Sequence, residues 1–190
     1  MADSQVFEDD PMDRDPFKTK CALLVSLLAL VLAVASLGGS NAAKEATMEN
    51  ILAANAYNFF QAKNQRQTTY KVAAEQIEIQ LKQPGLLPDV RQALERKLAD
   101  YQKNVARYES EPESGEGKKE LLAKAKLHEA KRDEALKRDP WFDCAEAILQ
   151  IAIVLTSIAI ITGRRLFSNV SLGLGSIGVL STLNGYFLFI

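Results

Sequence analysis

Side chains that hold metals or attack substrates are scarce in this sequence. It has one histidine, His128, and two cysteines, Cys21 and Cys144, and these fall in no spacing that a zinc site would need. A single histidine leaves no Ser, His, Asp arrangement to build on, and no glycine-rich phosphate loop follows a strand-like segment. The sequence therefore offers no catalytic residue, no metal ligand, no cofactor site and no recognisable small-molecule site, and it reads as that of a protein that is not an enzyme. A surplus of one charge sign is missing too. Lys plus Arg number 23 against 24 Asp plus Glu, and from Lys44 to Asp143 there are 18 bases interleaved with 17 acids. Such a mixture is a solvated surface and not a nucleic-acid patch.

Charge is also absent locally, and there the absence is informative. No charged residue occurs from Cys21 to Ala43, from Ala147 to Gly163, or from Leu166 to Ile190. A hydrocarbon core about 30 Å thick needs roughly 17 to 25 helical residues, so each run is long enough to cross a bilayer. Spans are expected at residues 18–43, 140–163 and 166–190. What remains is too charged and too poor in large apolar residues to bury a globular core. In this topology Cys21 and Cys144 start their spans on opposite sides of the bilayer, far beyond the roughly 7 Å reach of a disulfide.

Residues 1–17 carry six acids, one base and two prolines and read as a disordered acidic tail. Lys18 and Lys20 followed by an apolar run and Ala33-Val34-Ala35 resemble a cleavable signal. The long acidic leader, and helix-forming sequence that continues past Ala43, argue against cleavage. Residues 44–139 are expected to form an extramembrane helical hairpin. A helix over 44–83 is indicated by Met48, Leu52, Ala56 and Phe59, a narrow apolar stripe that is interrupted at Lys63 and Arg66 and resumes at Tyr70, Ala73, Ile77 and Leu81. Gln83-Pro84-Gly85 ends it, a second helix covers 88–109, Ser110 to Gly117 breaks that one, and a third covers 118–138. Asp139-Pro140 reads as a cap and first-turn proline that start the next helix. An outgoing helix from Ser40 to Gln83 rises about 65 Å, and the two shorter helices together return about as far. The fold class is thus an all-α membrane protein: three transmembrane helices with a long, coiled-coil-like helical hairpin between the first and second.

Arg164 and Arg165 in the short connection between the last two spans place it in the cytoplasm by the positive-inside rule, with the amino terminus inside and the hairpin outside. The hairpin carries many bases of its own, so the flipped topology stays open. Trp141 marks an interface. Small residues recur at helical spacing in each span: Ala22, Ser26, Ala29, Ala33 and Ser36; then Ala145, Ala152, Thr156, Ala159 and Gly163; and most clearly Ser171, Gly175, Gly178, Thr182 and Gly185. Such seams let helix backbones approach closely in lipid. Glu146, Gln150 and Asn184 stand out as polar side chains in the last two spans, where unpaired polar groups are costly. Interhelical hydrogen bonding, an edge carboxylate reaching water, and an ion or proton path are the three readings of that cluster.

Several segments together resemble a known family. The run LLVSLLALVLAVASLGGSNAAKEA, the aromatic-Gln-Ala-Lys segment at Phe59 to Lys63, DYQKNVARYESE, LHEAKRDEA, the LQIAI of the second span and the closing NGYFLF are similar to the bacterial membrane proteins of domain of unknown function DUF4337. The resemblance covers roughly residues 18–190. It departs at Tyr57-Asn58-Phe59-Phe60, where a Trp and paired tyrosines are usual, which removes any role for tyrosine hydroxyls at Phe59 and Phe60. The resemblance implies a multi-pass protein of the bacterial inner membrane and supplies no catalytic residues. The leading expectation is a structural or interaction protein whose spans, seated in the lipid bilayer, anchor a hairpin that self-associates or binds another membrane protein. The alternative is a small transport or channel component with Glu146, Gln150 and Asn184 lining a path.

Overall fold

A computed structural model describes residues 15–189. These residues form four helices and no strand: α1 (Pro16–Leu81), α2 (Pro88–Glu109), α3 (Lys118–Thr162) and α4 (Arg165–Phe187). Three of them, α1, α3 and α4, contain stretches long and apolar enough to cross a membrane. Contacts divide the chain into two compact units, one made of residues 1–44 and 135–190, the other of 45–134. Most of the expected acidic tail, residues 1–14, lies outside the described residues.

The start of α1 follows from Asp15-Pro16. The Asp15 carboxylate accepts the Phe17 backbone N–H at 2.9 Å, and Pro16 occupies the first helical position, where a missing N–H costs nothing. Pro16 and Phe17, expected in the tail, thus belong to the helix. Nothing from Phe17 to Leu81 stops it; only Gly38-Gly39 weakens it, by about 1 kcal/mol per glycine.

The same Asp-Pro signal misleads at Asp139-Pro140. A new helix is expected there, but α3 runs unbroken from Lys118 to Thr162 with Pro140 inside it. An interior proline forfeits one backbone hydrogen bond and costs about 3 kcal/mol or more. Packing offsets that cost, since Ala135, Phe142 and Ala145 on either side of the proline are all buried. The third span is also shorter than expected, because α4 ends at Phe187 with Leu188 in the left-handed conformation (φ 48°).

In the first unit the core is built from Leu28 and Ala35 of α1 and Ala145, Leu149 and Ala152 of α3, with Leu174 of α4 packed against it. Only Gly163 and Arg164 connect α3 to α4. Gly163, at φ +66° with its N–H on the Ala159 carbonyl, is the helix-ending glycine, and it is exposed instead of lying in a packing seam.

In the second unit α1 is flanked by two antiparallel partners. Tyr70 meets Tyr101 and Tyr108 of α2 at ring-centroid distances of 5.3 and 5.8 Å. Tyr57 donates to Glu129 of α3 at 3.0 Å, and Glu49 meets His128 at 2.5 Å. The turn at 110–117 is tied by Glu120, whose carboxylate accepts the Ser110 hydroxyl at 2.6 Å and the Glu111 N–H at 3.2 Å.

Candidate functional site

Helix α4 presents a face of holes. Its buried residues are Ser171, Gly175, Gly178, Ser181, Thr182, Asn184 and Gly185, and no large apolar side chain is among them. Large side chains of the other helices fill these holes. A Cβ added at Gly175 would sit 2.5 Å from Leu28, one at Gly178 would sit 2.6 Å from Leu149, and one at Gly185 would sit 2.8 Å from Phe142. Phe142 also lies against Gly38 and Gly39 of α1. Apart from Leu174, which packs on the core, large apolar residues of α4 point the other way, with Leu172, Ile177, Leu180 and Phe187 all exposed.

Hydroxyls add directional contacts to this packing. Ser171 donates to the Ala152 carbonyl at 2.6 Å and lies 2.5 Å from the Thr156 hydroxyl. Ser181 donates to the Trp141 carbonyl at 2.8 Å, and Tyr186 to the Val34 carbonyl at 3.2 Å. The seam Ala145, Ala152, Thr156 and Ala159 of α3 is buried, whereas all five residues proposed for the first span, Ala22, Ser26, Ala29, Ala33 and Ser36, are exposed. The buried line of that span is Cys21, Leu28, Ala35, Gly38, Gly39 and Ala42. Helix α1 thus supplies a knob, Leu28, to the hole at Gly175 and holes of its own, Gly38 and Gly39, to Phe142 of α3.

The three polar residues of the expected cluster differ in burial. Asn184 is buried, Glu146 is half-buried with its carboxylate over Gly39, and Gln150 is exposed. Near Asn184 the interior is filled by the Phe142 ring, which stands edge-on to Tyr186. Arg164 and Arg165 are exposed, and Trp141 is half-buried. Cys21 is buried, Cys144 is exposed, and both are free.

In the second unit the residues of α1 that turn inward recur at alternating steps of four and three: Ala46, Glu49, Ala53, Ala56, Phe60, Lys63, Gln67, Tyr70, Ala74, Ile77 and Leu81 are all buried or half-buried. The expected stripe has that spacing, and where it resumes Tyr70, Ile77 and Leu81 lie on the inward line, but its first part is only partly in phase. Ala56 is buried and Leu52 half-buried, while Met48 and Phe59 are 59% and 63% exposed. Leu52, Ala56 and Phe59 instead line one side of a groove whose other side is Leu121, Lys124 and His128 of α3.

The centre of this unit is a polar node that the sequence reading missed. Gln67 is 2% exposed, and its amide donates to the Val105 carbonyl and the Glu109 carboxylate, each at 2.9 Å, while its oxygen accepts from Lys118 at 2.8 Å. Lys118 also meets Glu109 at 3.3 Å and lies over the Phe60 ring. The hydrogen bond from Gln67, with that from Lys118, holds the Glu109 carboxyl below the usual carboxylate range. Glu120 is lowered likewise, first by the Ser110 hydroxyl. The hydrogen bond to Glu129 raises the Tyr57 phenol above its ordinary value. A Gln in the middle of a heptad of alanines and aromatics was the available signal, since a lone polar group in such a line needs dedicated partners. Among the described residues no group of His, Cys, Asp and Glu is arranged to hold a metal ion.

These features define an all-helical protein with three helices long and apolar enough to cross a membrane, one of them a hole-lined packing helix, and with a separate polar-centred helical unit. The chain belongs to the family described as domain of unknown function DUF4337, which matches residues 17–188. No curated protein and no solved structure matches the chain.

Proposed function

We propose that this chain is a multi-pass protein of the bacterial inner membrane that serves as a scaffold: three spans form a lipid-embedded anchor, and the unit at residues 45–134 is its interaction module. The observation that carries the reading is α4, which buries small and hydroxylated residues and exposes Leu172, Ile177, Leu180 and Phe187. In water that arrangement would leave a large apolar surface uncovered, whereas in lipid it is the expected solution. The reading includes no catalysis. Arg164 in the two-residue turn and Arg165 at the start of α4 favour a cytoplasmic turn, a cytoplasmic amino terminus and a periplasmic interaction module.

Affinity purification from native membranes after mild crosslinking, with identification of what co-purifies, tests the scaffold role. A second copy or a defined partner is expected; a strictly monomeric chain that captures nothing contradicts it. For orientation, a cysteine at Ser114 should react with an impermeant reagent in intact spheroplasts, and protection would reverse the topology.

A further inference from the structure

The outward face of α1 in the second unit is exposed and carries no charge. It is offset by two residues from the inward line, which is about 200° around the helix. Met48 and Ile51 begin it and Val72 and Ile79 end it, all four at least 48% exposed. Alternating steps of three and four connect them through Asn55, Asn58, Ala62, Gln65, Thr69 and Gln76, every one exposed. No residue on this face is charged, although Glu49 and Lys63 are turned inward. That inverts the usual order, because a solvated helix face ordinarily carries the charges and the packed face lacks them. A shallow groove lined by Gln61, Gln65, Thr68, Thr69, Val72 and Gln76 runs along it.

We infer that α1 pairs in parallel with α1 of a second copy through the face from Met48 to Ile79. The face has the 3.5-residue period of a two-helix seam over 31 residues' advance, about 46 Å. Its polar members are amides and a hydroxyl, each of which both donates and accepts, so a residue can bond its own copy across a two-fold axis as a carboxylate or an ammonium cannot. An uncharged face of this length is complementary to an equally uncharged one, and a second copy supplies it in register. Asn55 and Asn58 would fix that register, as single polar seam residues do. A strip one helix wide, roughly 10 Å, covers about 450 Å² per copy or about 900 Å² in all, less than the roughly 1,200 Å² of a stable interface, so the pair is a weak one. The inference rests on the membrane-anchor reading, since anchoring in one bilayer aligns the helices and raises their effective concentration.

The test uses the full chain in native membranes, in a Cys21→Ala, Cys144→Ser background, with single cysteines introduced one at a time and joined by a short bismaleimide. Ala62→Cys and Thr69→Cys should give a chain dimer, and Lys103→Cys on α2 and Lys126→Cys on α3 should not. Adding Gln65→Lys and Val72→Lys to Ala62→Cys sets like charges face to face and should reduce the dimer about tenfold or more. Both positions are exposed, so helix content and melting of this variant should be unchanged. No dimer at Ala62 and Thr69, equal dimer at the control positions, or a dimer that survives the two lysines would overturn self-pairing. If Ala62→Cys instead captures a different protein, identified by mass spectrometry, self-pairing is wrong and the scaffold reading stands. If it captures nothing and native purification also returns nothing, both fall.

Discussion

The two units make opposite use of large and small residues. In the first unit the buried face of α4 is glycine, serine, threonine and asparagine, and leucines and phenylalanines face outward. In the second, alanines and an amide-centred node are buried, and most of the charged side chains are exposed. The same device, a helix seam of small residues, serves both, and on the proposed reading what differs is the solvent, lipid for the first unit and water for the second. Where water supplies no driving force, close backbone approach and interhelical hydroxyls hold helices together. Where water is present, long polar side chains can stay outside and a buried polar node specifies which helices meet.

The largest effect that would break this contrast is expected at the holes of α4. Gly178→Leu forces a side chain into Leu149, while Gly173→Leu meets nothing within 4 Å. Overpacking of this kind costs about 1–3 kcal/mol or more, so Gly178→Leu should lower the melting temperature of the detergent-solubilised protein and Gly173→Leu should not. Equal behaviour of the two would remove the hole-and-knob account. In the second unit, Gln67→Ala leaves Lys118 and Glu109 short of a partner, and a loss of about 1–3 kcal/mol is expected in thermal unfolding. A Gln67→Ala chain as stable as the parent would show that the node does not bind the helices together.

Acid should separate the units less sharply. Glu109 and Glu120 titrate below their ordinary 4.5 when folded, so their contribution is present above that value and is lost as pH falls through the lowered one. The second unit should therefore unfold at lower temperature below about pH 4, as followed by circular dichroism, with the α4 packing unaffected. The smallest effect is expected at Gln150→Leu. That side chain is exposed whereas Asn184 is buried, so melting and oligomer size should not change. A clear change in liposome ion flux would return the path reading to consideration.

The helical class and the three apolar helices were legible because charge is excluded from long runs, a signal that needs no tertiary knowledge. The five small residues Ser171, Gly175, Gly178, Thr182 and Gly185 were legible for a similar reason, and all are buried. The inward line of α1 was legible only in its second half, at Tyr70, Ile77 and Leu81. Reading for large apolar residues selects Met48 and Phe59, whereas closely packed helices bury Ala46, Ala53, Ala56 and Ala74. Spacing survives in sequence, but phase depends on the neighbour's shape. Asp15-Pro16 and Asp139-Pro140 make the same point. The dipeptide is identical in both places, but only at the second does a helix already packed on both sides run through the proline.

The central claim is that the outer surface of the first unit meets lipid and that of the second meets water. It is tested most directly by moving the single tryptophan in proteoliposomes whose acyl chains carry bromine. In a Trp141→Phe background, Leu180→Trp on the exposed face of α4 should be strongly quenched, and Val90→Trp on α2 should instead respond to aqueous iodide. A Leu180→Trp signal untouched by brominated lipid and open to iodide would contradict the account.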